Sequence, residues 1–99
     1  MEKLKLAGEK GRGKYALVDD EDFPKVNSYS WWIDSSGYVF GYKDKIQILL
    51  HRYVMGEPKG IRIKHINNDR LDNRKENLRL SNKSNIIMKN RMPLFYILL

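Results

Sequence analysis

Along the first half of the chain, short stretches of alternating or clustered hydrophobic residues are separated by turn-forming residues. Such stretches, rich in aromatic and β-branched residues, are typical of short strands. They are KYALV (14–18), SYSWWID (28–34), YVFGY (38–42) and IQILL (46–50). Ser35, Ser36 and Gly37 predict a hairpin turn between the second stretch and the third. The last three stretches therefore predict a small antiparallel meander.

The second half of the chain predicts a strand, a long polar loop and a second strand. IRIKHI (61–66) and LRLS (78–81) alternate apolar and polar residues, as strands with one buried face do. The loop NNDRLDNRKEN (67–77) between them contains four asparagines and two aspartates but no glycine or proline. Asn and Asp side chains can hold such a loop by hydrogen-bonding its own backbone.

Two helical segments flank this strand–loop–strand unit. HRYVMGEPKG (51–60) predicts one or two helical turns, ended by Gly56 and Pro58. Ser81 or Asn82 can cap a second helix over residues 83–91.

The length of 99 residues predicts one compact domain with a modest core. Its segments in chain order are a charged, basic lead (1–13), the meander (14–50), the strand–loop–strand–helix unit (51–91) and an apolar tail (92–99). We expect the lead to be flexible or to form a short edge strand. The residues LFYILL (94–99) are interpreted either as a strand that pairs with the sheet or as a self-association surface.

The composition limits the cellular compartment and the classes of binding partner that the protein can have. There is no cysteine, no apolar segment of signal-peptide length and no run of about 20 apolar residues, so we expect a soluble, cytoplasmic protein with no membrane partner. The net charge of +7 lies entirely in residues 51–99, which carry eleven basic and four acidic side chains. This asymmetry indicates either a polyanionic partner such as nucleic acid or a solvated basic surface.

Three features have a structural explanation that we favour over a chemical one. The acidic cluster at 19–22 is interpreted as a turn or helix start, with metal binding as the alternative. His51 is expected to cap or pack the short helix rather than to act as a ligand. Four aromatic residues are expected to form the core and one exposed face of the sheet, with base stacking as the alternative; they are Trp31, Trp32, Tyr38 and Phe40.

His65 suits the chemistry of phosphodiester cleavage. A base must take a proton from water, and the ordinary pKa of histidine, about 6.5, lies near working pH. A neighbouring amide or carbonyl must hold the other ring nitrogen, while a divalent cation stabilises the charge that develops on the phosphorus centre.

The sequence LLHRYVMGEPKG followed by KHINNDRLDNRKENLRL resembles the HNH endonucleases, the ββα-metal nucleases of phages and mobile introns. The resemblance runs from about Lys14 to Arg91 and is strongest over residues 50–80. It implies an α+β fold with an N-terminal β-meander followed by a ββα-metal unit. It also implies DNA as the substrate, Mg²⁺ or Mn²⁺ as the cofactor, and a phage or mobile-element source.

Carried over residue by residue, the resemblance makes His65 the general base. Asn77 becomes the asparagine that orients the base or steadies its loop. The basic residues that it implies for nucleic-acid binding are Arg52, Arg70, Arg74, Lys75, Arg79 and Lys83.

Two positions depart from the family pattern of metal ligands. Before the base the family has Asp or His, but this chain has Lys64, whose ammonium group repels a cation. Like unit charges 4 Å apart repel by about 4 kcal/mol at an effective dielectric of about 20. On the final helix Ile86 stands where the family has Asn or His, and Asn85, a weak candidate ligand, lies one residue earlier, about 100° round the helix.

Three functions are consistent with the sequence. The first is a metal-dependent DNA endonuclease of HNH type with His65 as base. The second is a catalytically impaired DNA-binding protein on the same fold that lacks a normal metal site. The third is a structural or partner-binding protein that self-associates through residues 94–99.

Overall fold

The structure of the protein is a computed structural model, which describes residues 1–81. The predicted helix at 83–91, the tail at 92–99 and the site candidates Lys83, Asn85 and Ile86 lie outside the described residues. The elements are strands β1 (Glu2–Lys5) and β2 (Tyr15–Val18), helix α1 (Phe23–Val26), strands β3 (Trp31–Ile33), β4 (Val39–Lys43) and β5 (Ile46–Leu49), helix α2 (Leu50–Val54), strand β6 (Arg62–His65), a 3₁₀ turn (Lys75–Asn77) and strand β7 (Leu78–Ser81).

The strands form three small antiparallel sheets, which together with the short helices make an α+β fold. The sheet β3–β4–β5 is the predicted meander, which is confirmed, and β6 pairs with β7 across the polar loop. Strand β2 does not join the meander but pairs with β1. Residues 2–5 of the lead thus form a strand, because Leu4 alternates with charged neighbours and faces the core.

The hairpin turn between β3 and β4 is confirmed, and it places Tyr38 at the start of β4. The Oδ1 atom of Asp34 accepts hydrogen bonds from the backbone N–H groups of Ser36 and Tyr38, at 2.8 and 2.9 Å. Gly37 has a φ of +89°, a value that glycine adopts without steric cost.

The core lies beneath the meander and the short helices. Trp31 is completely buried, and its indole N–H donates to the carbonyl oxygen of Val26 at 2.8 Å. Because neighbouring strand residues point to opposite faces, Trp32 lies on the outer face, where its ring packs beside those of Phe40 and Tyr42. The buried hydrophobic residues are Leu4, Leu6, Ala16, Val18, Val26, Trp31, Val39, Leu50, Val54, Ile63 and Leu78.

The acidic cluster at 19–22 forms a turn and the start of α1, as predicted, and it also fastens the polar loop. The ammonium group of Lys75 lies 2.8 Å from a carboxylate oxygen of buried Asp22 and 3.0 Å from one of Glu21. The backbone N–H of Lys75 donates to the carboxylate of Asp19 at 2.9 Å. These contacts hold the residues before β7 against the first half of the chain.

The polar loop is also attached directly to β2. The backbone N–H of Leu17 donates to the carbonyl oxygen of Leu71 at 2.7 Å, and the N–H of Asn73 donates to the carbonyl oxygen of Leu17 at 2.8 Å. These two bonds fix the position of Asn73 relative to β2. Within residues 1–81, no helix has the length and hydrophobicity that crossing a membrane requires.

Candidate functional site

His65 is the last residue of β6, and the alternation of that strand determines which way it points. Ile63 and His65 face inward and are buried, whereas Arg62 and Lys64 are exposed on the opposite face. The imidazole of His65 is thus held within the protein at the point where the polar loop begins.

The partner of His65 is Asn73 in the polar loop. The Nε2 atom of His65 lies 2.9 Å from the Oδ1 atom of Asn73, and both side chains are buried. The amide of Asn73 is oriented because its Nδ2 group donates to the carbonyl oxygen of Arg70 at 3.3 Å. Since Oδ1 can only accept, Nε2 must carry the proton and Nδ1 keeps its lone pair. This is the tautomer that a proton acceptor requires.

Within residues 1–81 the side chain of Asn77 makes no hydrogen bond to His65, and it instead holds the loop that carries Asn73. Its Oδ1 atom accepts from the backbone N–H of Asn67 at 3.0 Å. Its Nδ2 group donates to the Oδ1 atom of Asn67 and to the carbonyl oxygen of Asp72, both at 2.9 Å. Of the two roles that the sequence left open for Asn77, the hydrogen bonds correspond to steadying the loop.

Asp72 and Arg74 form a second brace within the loop. The guanidinium of Arg74 donates from Nε and from Nη2 to the two carboxylate oxygens of buried Asp72, at 2.8 and 2.7 Å. This bidentate pair lowers the pKa of Asp72 below its ordinary value, chiefly through the hydrogen bonds from Arg74. Arg74 also reaches Glu76 at 2.7 Å.

A second histidine lies beside His65. The ring centroids of His51 and His65 are 5.0 Å apart, and Tyr38 stacks on His51 with a centroid separation of 5.2 Å. The guanidinium of Arg70 lies 4.4 Å from the centroid of the Tyr38 ring, a cation–π contact. These side chains line a cavity of about 670 Å³ together with Leu49, Arg52, Arg62, Ile63, Lys64, Asn68 and Ser81.

The burial of His51 keeps its ring neutral near pH 7. Loss of solvent, followed by the nearby His65 and Arg52, lowers the pKa of His51 from 6.5 to about 4. The sequence favoured a packing role for His51, and its stacking on Tyr38 and position in α2 agree with packing. No sequence pattern indicated that His51 would lie beside His65.

The neutral state of His51 makes the stability of the protein depend on pH. Between pH 6.5 and pH 4 the unfolded chain binds a proton at His51 that the folded chain does not, so stability falls as the pH is lowered. We expect a loss of about 2 kcal/mol between pH 7 and pH 5. Urea unfolding in EDTA at several pH values measures it. His51→Phe should flatten the profile, and an equally steep profile in that variant would assign the effect to another group.

The basic residues at the site fall into two groups. One group is already engaged within the protein. Arg52 donates to the carbonyl oxygens of Ile61, at 2.9 Å, and Pro58. Arg70 donates to the carbonyl oxygen of Ser36, while Arg74 and Lys75 are paired with the carboxylates described above.

The other group is an exposed basic face on the β6–β7 pair, formed by Arg62, Lys64 and Arg79. Lys64 and Arg79 are directly opposite each other in the register, and Arg62 lies two residues before Lys64 on the same side. Within residues 1–81 no carboxylate oxygen lies within 4.0 Å of the charged group of any of the three. Like charges directly opposite across strands destabilise the pair, so this face is suited to an anion.

The described part of the cavity offers no carboxylate to a cation. Its lining contains two imidazoles and four basic side chains but neither Asp nor Glu within residues 1–81. Mg²⁺ prefers oxygen ligands and usually requires one or two carboxylates. The donors present therefore do not fit a Mg²⁺ site by themselves, and Lys64 adds positive charge at its rim.

Several residues of the site were not identified from the sequence. Asn73 was seen as one of four loop asparagines, but its contact with His65 depends on how the loop docks on β2. Arg62 was not identified because it lies in a predicted strand of ordinary alternating pattern. Tyr38 was assigned to the sheet, and its position beside both histidines arises from the hairpin turn. The small number of histidines, two in the whole chain, was the available indication that His51 could belong to the site.

Comparison with known proteins agrees with the resemblance noted in the sequence. Residues 44–85 match the family described as HNH endonuclease. The chain is 35% identical over 78 residues to an uncharacterised HNH endonuclease of Acanthamoeba polyphaga mimivirus. That alignment covers 73% of this chain and 41% of the viral protein, so the chain spans less than half of that relative. No solved structure matches the chain.

Proposed function

Because the chain belongs to the HNH endonuclease family, matching it over residues 44–85, we propose that it hydrolyses DNA phosphodiester bonds with His65 as the general base. The observation that carries this proposal is the hydrogen bond between Nε2 of His65 and Oδ1 of Asn73. It leaves Nδ1 as the acceptor in a basic cavity. A general base of this kind contributes about 10²- to 10⁴-fold to a rate.

The proposed reaction assigns a task to each part of the site. Nδ1 of His65 takes a proton from water, and the oxygen of that water attacks phosphorus as the bond to the leaving oxygen breaks. Asn73 keeps the ring in the required tautomer and stabilises the imidazolium that forms. Asn77 and the Asp72–Arg74 pair hold Asn73 in place. The cationic side chains that line the cavity reduce the repulsion between the phosphate and its surroundings.

HNH nucleases generally use a divalent metal, which stabilises negative charge at the phosphate when bound. We propose Mg²⁺ or Mn²⁺ from the resemblance, with Asn85, which lies outside the described residues, as the candidate protein ligand. The hydrogen bond between His65 and Asn73 does not require the cation, because it involves only protein atoms.

A second function is favoured by one specific observation. The described lining of the cavity contains no carboxylate, and Lys64 stands where the resemblance implies a metal ligand. A protein that binds DNA through the exposed basic face without cleaving it is therefore the alternative proposal. Binding of this kind requires no metal.

A supercoiled-plasmid nicking assay with Mg²⁺, Mn²⁺ or EDTA separates the two functions. Metal-dependent nicking supports the nuclease. Absence of nicking, together with a salt-sensitive gel shift that EDTA leaves unchanged, supports the non-cleaving DNA-binding protein. Absence of both would exclude DNA as the partner.

The exposed basic face leads to a prediction about salt dependence. Each phosphate contact that is lost reduces the slope of log K against log salt by about 0.9. We therefore expect Lys64→Gln and Arg79→Gln each to lower the slope by roughly one, measured by fluorescence anisotropy of a labelled duplex at several salt concentrations. Lys75→Gln is the matched control, since the ammonium of Lys75 is already paired with Asp22 and Glu21. A larger effect of the control would place the DNA on another surface.

A further inference from the structure

Three aromatic side chains lie together on the outer side of the meander. Trp32, Phe40 and Tyr42 form what we call the outer aromatic face. Trp32 stacks on Phe40 with ring centroids 5.9 Å apart, and Tyr42 meets these two rings edge-on at 6.1 and 6.0 Å. Tyr42 is 50% exposed, and the other two side chains are partly exposed. Accessible aromatic side chains that are grouped in this way are typical of an interaction surface.

The outer aromatic face is continuous with the cavity of the candidate site. Phe40 is paired in register with Leu49, and because directly paired residues point to the same side of a sheet, Leu49 extends the face. Tyr38 precedes Phe40 by two residues and points to that side as well. Both Leu49 and Tyr38 line the cavity. The ring of Tyr38 is covered by His51 and Arg70, so the surface on which a ligand can stack begins at Phe40.

The turn at residues 8–14 lies against the edge of the outer aromatic face. The backbone N–H of Ala7 donates to the carbonyl oxygen of Trp31 at 2.7 Å, which places the chain beside β3. Gly8 then passes so close to Trp32 that a Cβ atom in its position would lie 2.8 Å from Cδ1 of the ring. Such a distance is well inside van der Waals contact, so glycine allows the turn to pack directly on the indole.

The charge of this turn is complementary to a phosphate backbone. The turn contains three basic side chains and one acidic side chain, which are Lys10, Arg12, Lys14 and Glu9. Glu9 accepts a hydrogen bond from Arg12 at 3.0 Å. Within residues 1–81 no carboxylate oxygen lies within 4.0 Å of the ammonium group of Lys10 or Lys14. The border of the outer aromatic face is therefore positively charged, which favours an anionic partner over an apolar one.

The spacing of the rings suits unpaired bases rather than a duplex. Successive bases in a duplex follow each other about every 3.4 Å, and each base is covered by its neighbours in the stack. The ring centroids of the outer aromatic face are 5.9 to 6.1 Å apart, so an intact stack cannot place one base on each ring. In a single strand the bases can separate, and aromatic side chains then bind them with little preference for sequence.

We propose that the outer aromatic face binds the unpaired bases of a single-stranded DNA segment whose backbone continues into the cavity of His65. The inference rests on the proposed function for the identity of the polymer, and it specifies a substrate with an unpaired segment beside the bond that is cut. The bases stack on the rings, and the phosphates lie near the basic turn at residues 8–14. The strand then passes Leu49 and Tyr38 to reach the cavity.

Fluorescence anisotropy in EDTA tests the proposal, with a labelled single strand of about 12 nucleotides and a duplex of the same sequence. Loss of one stacking contact weakens binding about 5- to 150-fold. We therefore expect Tyr42→Ala to lose at least about fivefold in affinity for the single strand and less than about twofold for the duplex. Tyr42→Phe keeps the ring and should bind as the original chain does. Tyr15→Ala is the matched control, since Tyr15 is 46% exposed but lies in the separate β1–β2 sheet.

Tryptophan fluorescence gives a second readout that needs no variant. The chain contains two tryptophans, of which Trp31 is completely buried and Trp32 belongs to the outer aromatic face. A base that stacks on the indole of Trp32 quenches its emission. The single strand should therefore lower the emission of the original chain, and the duplex should leave it unchanged.

Several results would overturn the proposal. They are no binding of the single strand, unchanged emission when it is bound, and equal affinity of Tyr42→Ala and the original chain. A loss of the same size for the duplex, or in Tyr15→Ala, would show that stacking on this face is not the cause. An original chain that sediments as a dimer, with Tyr42→Ala as a monomer, would assign the face to a second copy of the chain and would also overturn the proposal.

A cleavage assay separates this proposal from the nuclease. The original chain should cut a duplex that contains an unpaired bubble at least about fivefold faster than a continuous duplex, and Tyr42→Ala should lose this preference. Equal rates on the two substrates would reject the stacking face and leave the nuclease standing. Binding of the single strand through Tyr42 by a protein that never cuts DNA would support the stacking face and reject the nuclease.

Discussion

Replacing His65 with alanine is expected to lower the rate of metal-dependent plasmid nicking at least 100-fold. The general base in such a reaction contributes about 10²- to 10⁴-fold, and His51, the only other histidine, is in no position to replace it, since its protonated form is disfavoured by burial. DNA affinity should change little, because His65 is buried and the exposed basic face consists of Arg62, Lys64 and Arg79. Nicking and fluorescence anisotropy on the same preparations measure both quantities.

The matched variant for this prediction is Asn73→Ala, which leaves the imidazole but removes its partner. Asn73 orients His65 through a 2.9 Å hydrogen bond, so we expect an intermediate loss of nicking with DNA binding retained. Unchanged nicking in His65→Ala, in protein whose circular dichroism shows that it is folded, would remove His65 from the mechanism. Loss of DNA binding in that variant would instead make His65 a structural residue.

The second large effect is expected at Asn77, whose replacement by alanine should destabilise the fold by about 2–4 kcal/mol. The buried amide makes three hydrogen bonds that join the two ends of the polar loop. Alanine leaves the backbone N–H of Asn67 and the carbonyl oxygen of Asp72 without these partners. Each unsatisfied buried group costs about 1–3 kcal/mol. Urea unfolding of the full chain gives the difference in free energy.

Asn68 supplies the control for Asn77 within the same loop. Its side chain is exposed, and its φ of 65° lies in the left-handed region that glycine tolerates best. Asn68→Gly should therefore change the free energy of unfolding by less than about 1 kcal/mol. Similar losses in Asn77→Ala and Asn68→Gly would mean that the loop responds to any substitution and that the Asn77 bonds are not special.

Replacing Asn77 with alanine should also slow DNA nicking, because Asn77 holds the loop segment that contains Asn73. Asn77 donates to the carbonyl oxygen of Asp72, the residue immediately before Asn73. A loop that loses this bond no longer holds Asn73 against His65. We therefore expect Asn77→Ala to nick DNA more slowly than Asn68→Gly even at temperatures where both are folded.

Residue types and their spacing were sufficient to predict the local elements of structure and to identify His65 as the centre of the candidate site. Period-two alternation predicted β6 and β7, the Ser-Ser-Gly segment predicted the hairpin turn, and clustered aromatic residues predicted the meander. Each of these signals depends on residues close in the chain, so local propensity is sufficient to produce it. The same is true of the HNH resemblance, which rests on residue types at fixed spacing around His65.

The tertiary structure alone decided which side chains meet. Asn73 reaches His65, and Asn77 instead braces the loop, because two backbone bonds dock the loop on β2. His51 lies 5.0 Å from His65 although fourteen positions separate them in the chain. The physical reason is that packing of the meander, α2 and the loop around one core fixes these distances, and no short stretch of sequence contains that packing.

The same distinction applies to the basic residues. The sequence places eleven of them in residues 51–99, which indicates either an anionic partner or a solvated surface, and it does not distinguish Arg74, Lys75 and Arg79 from one another. Folding brings carboxylates to Arg74 and Lys75, from Asp72 and from the distant Asp22, and leaves Arg79 exposed opposite Lys64. Charge is a property of the sequence, whereas its availability to a ligand depends on which opposite charges the fold places within hydrogen-bonding distance.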